Sequence, residues 1–370
     1  MNVKQSVANN ILNEAIVALA ILQMFLSATI PSLKIFQIPV EIILLLTLSL
    51  ACVTVKYDRL QFLLLFVFVF STAVSFITTE LGVFSVNAKQ NGIAVLSLIY
   101  FSKVSYKSKL IFPAVVTSIL LLILNALAPE LVRSFIALSF NEAFNMSRFG
   151  GLFLNTHFNA FFLAVALLYY GRLRHLYGIG AWVIYFTASK FIFVSYISSL
   201  LTTLPIRYFR KYHRLFALVI IFLLLIGVSF FVNYSDMLIE FIIERNRIDF
   251  SHNSVIVILS QLADPVYYEY LLNLLPAGQA VIPENMARPF TFHSGNNEIG
   301  FFALVAQSGI ILGGLYLFVL IKHAPFYTVF ILVSLLHNNF ILSPLVVYMF
   351  VTYSREVQLL RDKYNCNSSV

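Results

Sequence analysis

Charged side chains are scarce in this sequence. Asp, Glu, Lys and Arg make up 11% of the 370 residues, whereas hydrophobic residues make up 60%. Soluble domains carry about 25% charged residues, because polar groups must cover their surface. Residues 62–70, 119–124 and 215–231 are apolar on every face of a helix, and lipid is the solvent that suits such segments. The composition therefore excludes a soluble domain and predicts an α-helical membrane protein.

Several familiar motifs are also missing. The two cysteines, Cys52 and Cys366, are far apart and predict neither a disulfide framework nor a metal site. The sequence has no His/Glu cluster with metal spacing, no phosphate-binding Walker loop and no Gly-x-Ser-x-Gly turn. We therefore predict no metal and no cofactor. The net charge of +8 is spread thinly over short loops, which argues against nucleic acid as a partner.

A spanning helix needs about 20 apolar residues. Applied along the chain, this length predicts about eight full spans, including a weaker one near residues 88–102. The others lie near residues 11–30, 36–55, 62–82, 110–128, 150–170, 215–232 and 299–321. We expect one transmembrane domain over residues 1–370, with 10–12 membrane segments in all.

Two apolar stretches, 178–204 and 325–353, are too long for one upright span and have basic residues at both flanks. Because lysine and arginine are retained in the cytoplasm, we predict that each stretch folds back as a short helical hairpin. Ser189 and Lys190 would form the tip of the first hairpin. A single tilted helix whose Lys190 pairs internally is the alternative. Residues 337–340 with Ser343-Pro344 would form the turn of the second.

The distribution of charge also predicts orientation. Most of the 24 basic residues fall on one side if both termini are cytoplasmic. The polar segment 233–297 then becomes a large periplasmic loop inserted between spans. Glu41 lies near the outer end of its span, within reach of Lys34 as a structural partner. Cytoplasmic loops are short, so any chemistry must use the membrane interior or the outer face.

Basic residues near the outer face are candidates for binding an anion. Arg148 stands before Gly150 and Gly151 at the entrance to a predicted span, where free N–H groups favour an anion. Lys190 could approach it from the hairpin tip. Three arginines of the large loop would lie above: Arg245, Arg247 and Arg288. Such a ring suits a diphosphate, although ordinary pairing with Glu240, Glu244 and Asp249 is the alternative.

A sugar transfer would also need a base. His293 lies just before the span near residue 299, and Glu298 lies at the mouth of that helix. Either side chain could accept a proton from an acceptor hydroxyl. The sequence does not decide between them.

Three segments resemble the bacterial O-antigen polymerases and ligases. Arg148-Phe-Gly-Gly-Leu-Phe-Leu-Asn155-Thr-His-Phe-Asn159 resembles their Arg-x-x-Gly-x-Phe-x-(Asp/Asn)-Pro-Asn pattern, and Phe186-Thr-Ala-Ser189-Lys190 resembles their Thr-x-Ser-Arg motif. Residues 297–313 resemble the span after their large periplasmic loop. The order and spacing of the three segments match as well.

This resemblance implies a GT-C-like glycosyltransferase in the bacterial inner membrane that uses an undecaprenyl-diphosphate-linked oligosaccharide on the periplasmic face. Arg148 and Lys190 would bind the diphosphate, assisted by the loop arginines, with Gly150, Gly151, Asn155 and Ser189 in support. A chain-length regulator is a further candidate partner. Ligases carry a His-Asn pair where this chain has Glu298-Ile299, which favours the polymerase. The alternatives are an O-antigen ligase that uses the lipid A core as acceptor and a flippase of the lipid-linked oligosaccharide.

Overall fold

The computed structural model describes residues 3–27, 34–78, 81–128, 130, 151–153, 156–174, 177–187, 189–203, 304–305, 307–335 and 340–367. These residues form helices and connections, without a strand among them. The predicted span at 215–232 and the large loop at 233–297 lie outside the described residues.

Five helices are described within residues 1–128. They are α1 (Val3–Ser27), α2 (Lys34–Val53), α3 (Arg59–Thr78), α4 (Leu81–Lys103) and α5 (Ile111–Leu127). The prediction near 88–102 was too short, because α4 runs for 23 residues through the polar stretch Asn87-Ala-Lys-Gln-Asn91. Carboxamide side chains are compatible with a buried helix when other segments supply their hydrogen bonds, as Gln307 and Ser308 do for Gln90 and Asn91.

Six further helices are described between residues 156 and 367. They are α6 (Thr156–Arg174), α7 (Tyr177–Phe186), α8 (Lys190–Thr203), α9 (Ile310–His323), α10 (Thr328–Ser334) and α11 (Pro344–Asn367). Short 3₁₀ turns, Pro325–Tyr327 and Phe340–Leu342, precede α10 and α11.

Among the described helices, three are long and apolar enough to cross a membrane: Asn9–Leu26, Ile35–Val53 and Arg59–Ile77. Helices α9 and α10 meet at a bend of 106° and would count as a fourth if the pair were one broken span. Large apolar side chains such as Leu50, Phe66 and Phe70 face outward from α2 and α3. Such exposure is favourable when the hydrocarbon of a bilayer surrounds the helices. The described helices are therefore those of a helical membrane protein, while the total of eight spans stays a prediction.

The first predicted fold-back is confirmed by contacts between its arms. Helix α7 ends at Phe186, and α8 begins at Lys190. The Tyr196 hydroxyl donates a hydrogen bond to the Tyr177 carbonyl over 3.3 Å, and the rings of Tyr185 and Phe193 lie 5.8 Å apart. In one straight helix, residues 177 and 196 would be separated by about 28 Å. The alternative of a single tilted helix is therefore wrong.

The second fold-back is also observed, with different arms from those predicted. The backbone N–H of Phe326 donates to Ser354 Oγ over 2.8 Å, and the rings of Phe330 and Phe350 lie 6.1 Å apart. The second arm does not stop near residue 353, because α11 continues to Asn367. Pro344 is its first residue, a position where proline fits because no intrahelical N–H is needed there. Residues 336–339 lie outside the described residues.

Two predicted helix starts were wrong. The span placed at 150–170 begins at Thr156, and Gly151 to Phe153 are not helical. The span placed at 299–321 is interrupted at Gly309, whose φ of 73° and ψ of 160° stop a helix, so α9 begins at Ile310. Glycine is nearly the only residue that adopts this backbone region, which explains the break.

Helix α11 occupies the middle of the described assembly. It packs against α4, α1, α9 and α6. Helix α6 in turn packs against α5 and against both arms of the first hairpin, and α10 packs against α8. Phe161 of α6 contacts the rings of Phe330, Phe340 and Phe350 at 5.1–6.1 Å, which ties α6 to the second hairpin.

Candidate functional site

The segment before α6 packs against two helices, α5 and α6. The backbone N–H of Leu152 donates to Ser118 Oγ of α5 over 3.2 Å, and the Ser118 hydroxyl donates to Asn159 Oδ1 of α6. A Cβ atom on Gly151 would lie 2.5 Å from Asn159 Nδ2 and 2.6 Å from the Ser118 carbonyl oxygen. Glycine is therefore required at position 151 by close packing, and the segment that follows Arg148 is held at the start of α6.

A histidine joins the two motifs that sequence analysis singled out. The Nδ1 atom of His157, in the first turn of α6, lies 3.0 Å from Ser189 Oγ at the tip of the first hairpin. Ser189 is buried, and its carbonyl accepts the backbone N–H of Phe193 in the first turn of α8. Gly151 and Ser189 thus meet the same end of α6. We call this contact region the motif junction: Gly151, Ser118, His157, Asn159 and Ser189.

Lys190 follows Ser189 directly and is the first residue of α8. The first N–H groups of a helix lack intrahelical partners and carry the positive end of its dipole. The hairpin therefore brings the start of α8 to the motif junction, with Lys190 as its first residue.

The other predicted site residues lie outside the described residues. They are Arg148, Gly150, Asn155, Arg245, Arg247, Arg288, His293 and Glu298. Of the predicted set, the structure brings Gly151, Ser189 and the backbone of Lys190 to one end of α6. The roles of all these residues in chemistry stay predictions. The sequence predicted no role for His157, although this residue lies within the first of the three segments.

A second concentration of polar groups was missed by sequence reasoning. Glu41 of α2 is fully buried and pairs with Lys89 of α4. The side chain of Lys34, the partner expected from the sequence, lies outside the described part of the structure. Gln37 donates to Glu41 Oε1 over 2.7 Å, and Gln23 of α1 does so over 3.4 Å. A carboxylate at such depth is costly unless it is paired and hydrogen-bonded.

The next residues of α4 bond to the segment before α9. Gln307 Nε2 donates to Gln90 Oε1 over 2.6 Å, and Asn91 Nδ2 donates to the Gln307 carbonyl over 2.9 Å. Ser308 Oγ donates to Asn91 Oδ1 over 2.9 Å. We call the whole group the α4 polar cluster: Gln23, Gln37, Glu41, Asn87, Lys89, Gln90, Asn91, Gln307 and Ser308. The interruption of an apolar span by Asn87-Ala-Lys-Gln-Asn91 was the signal that could have revealed it.

The turn before α11 lies between the two regions. The ring of Phe340 lies 4.3 Å from that of Phe158, the neighbour of His157. At the other end of the turn, Ser343 Oγ lies 4.0 Å from the sulfur of Met24, the neighbour of Gln23. Residues 340–343 thus contact α6 next to the motif junction and α1 next to Gln23.

Ion pairs at the opposite end of the helices belong to the predicted cytoplasmic side. Lys103 Nζ lies 3.2 Å from Asp58 Oδ2, and Lys107 Nζ lies 3.3 Å from Glu356 Oε2. Partial burial alone would raise the pKa of the Asp58 carboxyl, but hydrogen bonds from the Gln61 backbone and Lys103 hold that pKa below its usual value. These contacts fasten the loops after α2 and α4 and leave the motif junction at the other end.

No protein-family model matches the sequence, and neither a curated protein nor a solved structure matches it. The geometry of the described helices and the resemblance of the three segments are the features that bear on function.

Proposed function

We propose that the chain is an inner-membrane glycosyltransferase, an O-antigen or related polysaccharide polymerase. It would transfer a growing glycan from undecaprenyl diphosphate to the non-reducing end of a lipid-linked repeat unit on the periplasmic face. The observation that carries the proposal is the contact of 3.0 Å between His157 and Ser189. Through it, the two motifs that hold the predicted phosphate-binding residues meet at one end of α6.

The transfer makes one bond and breaks another. An acceptor hydroxyl attacks the anomeric carbon of the donor sugar, and the bond from that carbon to the diphosphate oxygen breaks. The hydroxyl proton passes to a base, for which His293 and Glu298 are the candidates. The electron pair leaves with undecaprenyl diphosphate. Arg148 and Lys190 would stabilise the negative charge that grows on the leaving group in the transition state.

Deleting the gene distinguishes the polymerase hypothesis from the ligase hypothesis. Loss of a polymerase leaves lipopolysaccharide with a single repeat unit, whereas loss of a ligase leaves bare core and polymer accumulating on the lipid carrier. Electrophoresis of surface lipopolysaccharide distinguishes these results. A bare core in the deletion strain would overturn the polymerase in favour of the ligase, and unaltered lipopolysaccharide would overturn both.

Arg148→Ala and Lys190→Ala test the proposed phosphate site in the complemented deletion strain. Each variant should abolish polymer while the protein still inserts, because either loss removes a positive charge beside the leaving group. Lys190→Arg should retain polymer, since it keeps the charge. Lys109→Ala, which alters an exposed residue after α4, is the matched control and should leave polymer length unchanged. Polymer of normal length in both alanine variants would contradict the proposed phosphate site.

A further inference from the structure

Four basic residues from four helices lie near one another at the end of the bundle opposite the motif junction. They are the first residue of α3, the last residue of α4, a residue in the last turn of α9 and one in α11: Arg59, Lys103, Lys322 and Arg355. Helix α9 packs against α3, α4 and α11, and its last residue, His323, is within electrostatic range of the last three. We call these four residues the basic patch.

Asp58 is the carboxylate that balances part of this charge. Its Oδ1 atom accepts the backbone N–H of Gln61 over 2.9 Å, and its Oδ2 atom lies 3.2 Å from Lys103 Nζ. Asp58 thus caps the start of α3 and neutralises one member of the patch. The other three members form no ion pair with a carboxylate of the described residues.

Arg355 shows how one of the remaining charges is held. Its guanidinium donates to the carbonyl oxygens of Phe101 and Ser102 at the end of α4. Carbonyl groups at the end of a helix lack intrahelical partners and carry the negative end of the helix dipole, so they stabilise a cation. Lys322 lies in the last turn of α9 and is exposed. Neutral carbonyl groups lower the energy of such charges without cancelling them, so the patch keeps a surplus of positive charge.

An exposed apolar face leads to the basic patch on each of two packed helices. On α9, exposed Phe318 lies one turn before exposed Lys322. On α3, exposed Phe62 and Phe66 follow exposed Arg59 at helical spacing. Each face therefore changes from apolar to basic at the same end of the helices. A phospholipid has the same order of chemistry, with acyl chains followed by a phosphate.

We propose that the basic patch binds the phosphate of an anionic phospholipid, whose acyl chains lie along the exposed faces of α3 and α9. The predicted topology places the patch at the cytoplasmic leaflet. Basic groups between membrane helices on that side suit anionic head groups, because guanidinium and ammonium groups donate charged hydrogen bonds to phosphate oxygens. A soluble anion would leave both apolar faces without a ligand. The proposal does not depend on the glycan transfer.

Native mass spectrometry of the full-length protein in detergent tests this assignment. The probes are phosphatidylglycerol and phosphatidylcholine with identical acyl chains, and the wild type should bind phosphatidylglycerol more tightly. Arg59→Gln and Lys322→Gln should each weaken binding of phosphatidylglycerol by about fivefold, the equivalent of about 1 kcal/mol for one basic residue near a membrane surface. Binding of phosphatidylcholine should not change. Lys322→Arg should bind as the wild type does, since it keeps the charge.

Lys109→Gln is the matched control. Lys109 is exposed just before α5, and the carboxylate of Glu14 lies near it. This variant removes the same charge from the protein, so it should bind phosphatidylglycerol as the wild type does if the site is specific. Arg59 and Lys322 are exposed and form no ion pair with a described residue, so their glutamine variants are expected to fold.

The possible results separate a specific lipid site from its alternatives. A selective loss of phosphatidylglycerol binding in Arg59→Gln and Lys322→Gln supports the site. Equal affinity of the wild type for both lipids, or equal losses in all three glutamine variants, overturns it in favour of non-specific attraction. Displacement of phosphatidylglycerol by an equal concentration of glycerol phosphate overturns it in favour of a soluble anion. The deletion strain tests the proposed polymerase separately, whichever result is obtained here.

Discussion

At the scale of single residues, Glu41 and Lys89 are the most consequential pair in the described helices. The carboxylate has no exposed surface; Lys89 pairs with its Oε2 atom, and Gln37 and Gln23 donate hydrogen bonds to Oε1. Removing one partner of such a pair leaves an uncompensated charge in a medium that solvates it poorly. The pair therefore constrains which substitutions the amino-terminal helices tolerate.

Glu41→Gln should lower the free energy of unfolding by about 3 kcal/mol, the lower end of the range for a broken buried pair. The lower end applies because the Lys89 side chain keeps 20% of its surface exposed. Denaturant titration of the purified protein in detergent measures the change. The double variant Glu41→Lys with Lys89→Glu should recover part of the loss, because the opposite charges are restored.

Lys103→Gln provides the comparison for this prediction. It breaks the Asp58–Lys103 pair, whose side chains are 31% and 36% exposed. Pairs as exposed as this contribute about 0–1 kcal/mol. Equal losses for Glu41→Gln and Lys103→Gln would contradict the account of a buried, costly ion pair.

At the scale of elements, the first hairpin depends on a glycine between its arms. A Cβ on Gly180 would collide with the Tyr196 hydroxyl of the opposite arm, whereas a Cβ on Gly178 would meet nothing within 4 Å. Gly180→Ala should therefore destabilise the protein by about 1–3 kcal/mol through overpacking. Gly178→Ala should be neutral or stabilising by up to about 1 kcal/mol, since alanine favours helix. Thermal unfolding of both variants measures the difference, and similar behaviour would argue against the fold-back.

The break before α9 is a second element that one glycine permits. Gly309→Ala forces alanine into a backbone region with positive φ, at a cost of about 1–3 kcal/mol. Because Gln307 and Ser308 bond to α4 just before this break, the variant should also shorten the polymer. Gly314→Ala, where a Cβ meets nothing within 4 Å, is the control and should preserve polymer length. Normal polymer in Gly309→Ala would show that the break is not needed.

The sequence predicted some elements well, and the failures have physical causes. Basic residues at both flanks of two long apolar stretches correctly predicted that the chain folds back at each. Hydropathy cannot locate a helix start when the residues outside the helix are also apolar, as Leu152 and Phe153 are. The α4 polar cluster was not predicted because Gln90 and Gln307 are 217 residues apart and no periodic pattern links them.

At the scale of the whole molecule, α11 packs against helices that carry two polar regions. The motif junction lies at one end of α6, and the α4 polar cluster lies along α4 with α1 and α2. In the proposed polymerase the motif junction holds the donor diphosphate. That role requires the junction to open to the compartment that the predicted topology places outside the cytosol.

Cross-linking in cells tests most directly whether Arg148 and Lys190 share one outward pocket. Both are replaced by cysteine in a chain whose Cys52 and Cys366 are changed to alanine, and a short, membrane-impermeant bifunctional thiol reagent is added from the periplasmic side. The account predicts an intramolecular cross-link between positions 148 and 190, and none when cysteines stand at 148 and 109. Labelling of positions 148 and 190 from opposite sides, or labelling without a cross-link, would contradict a shared diphosphate site.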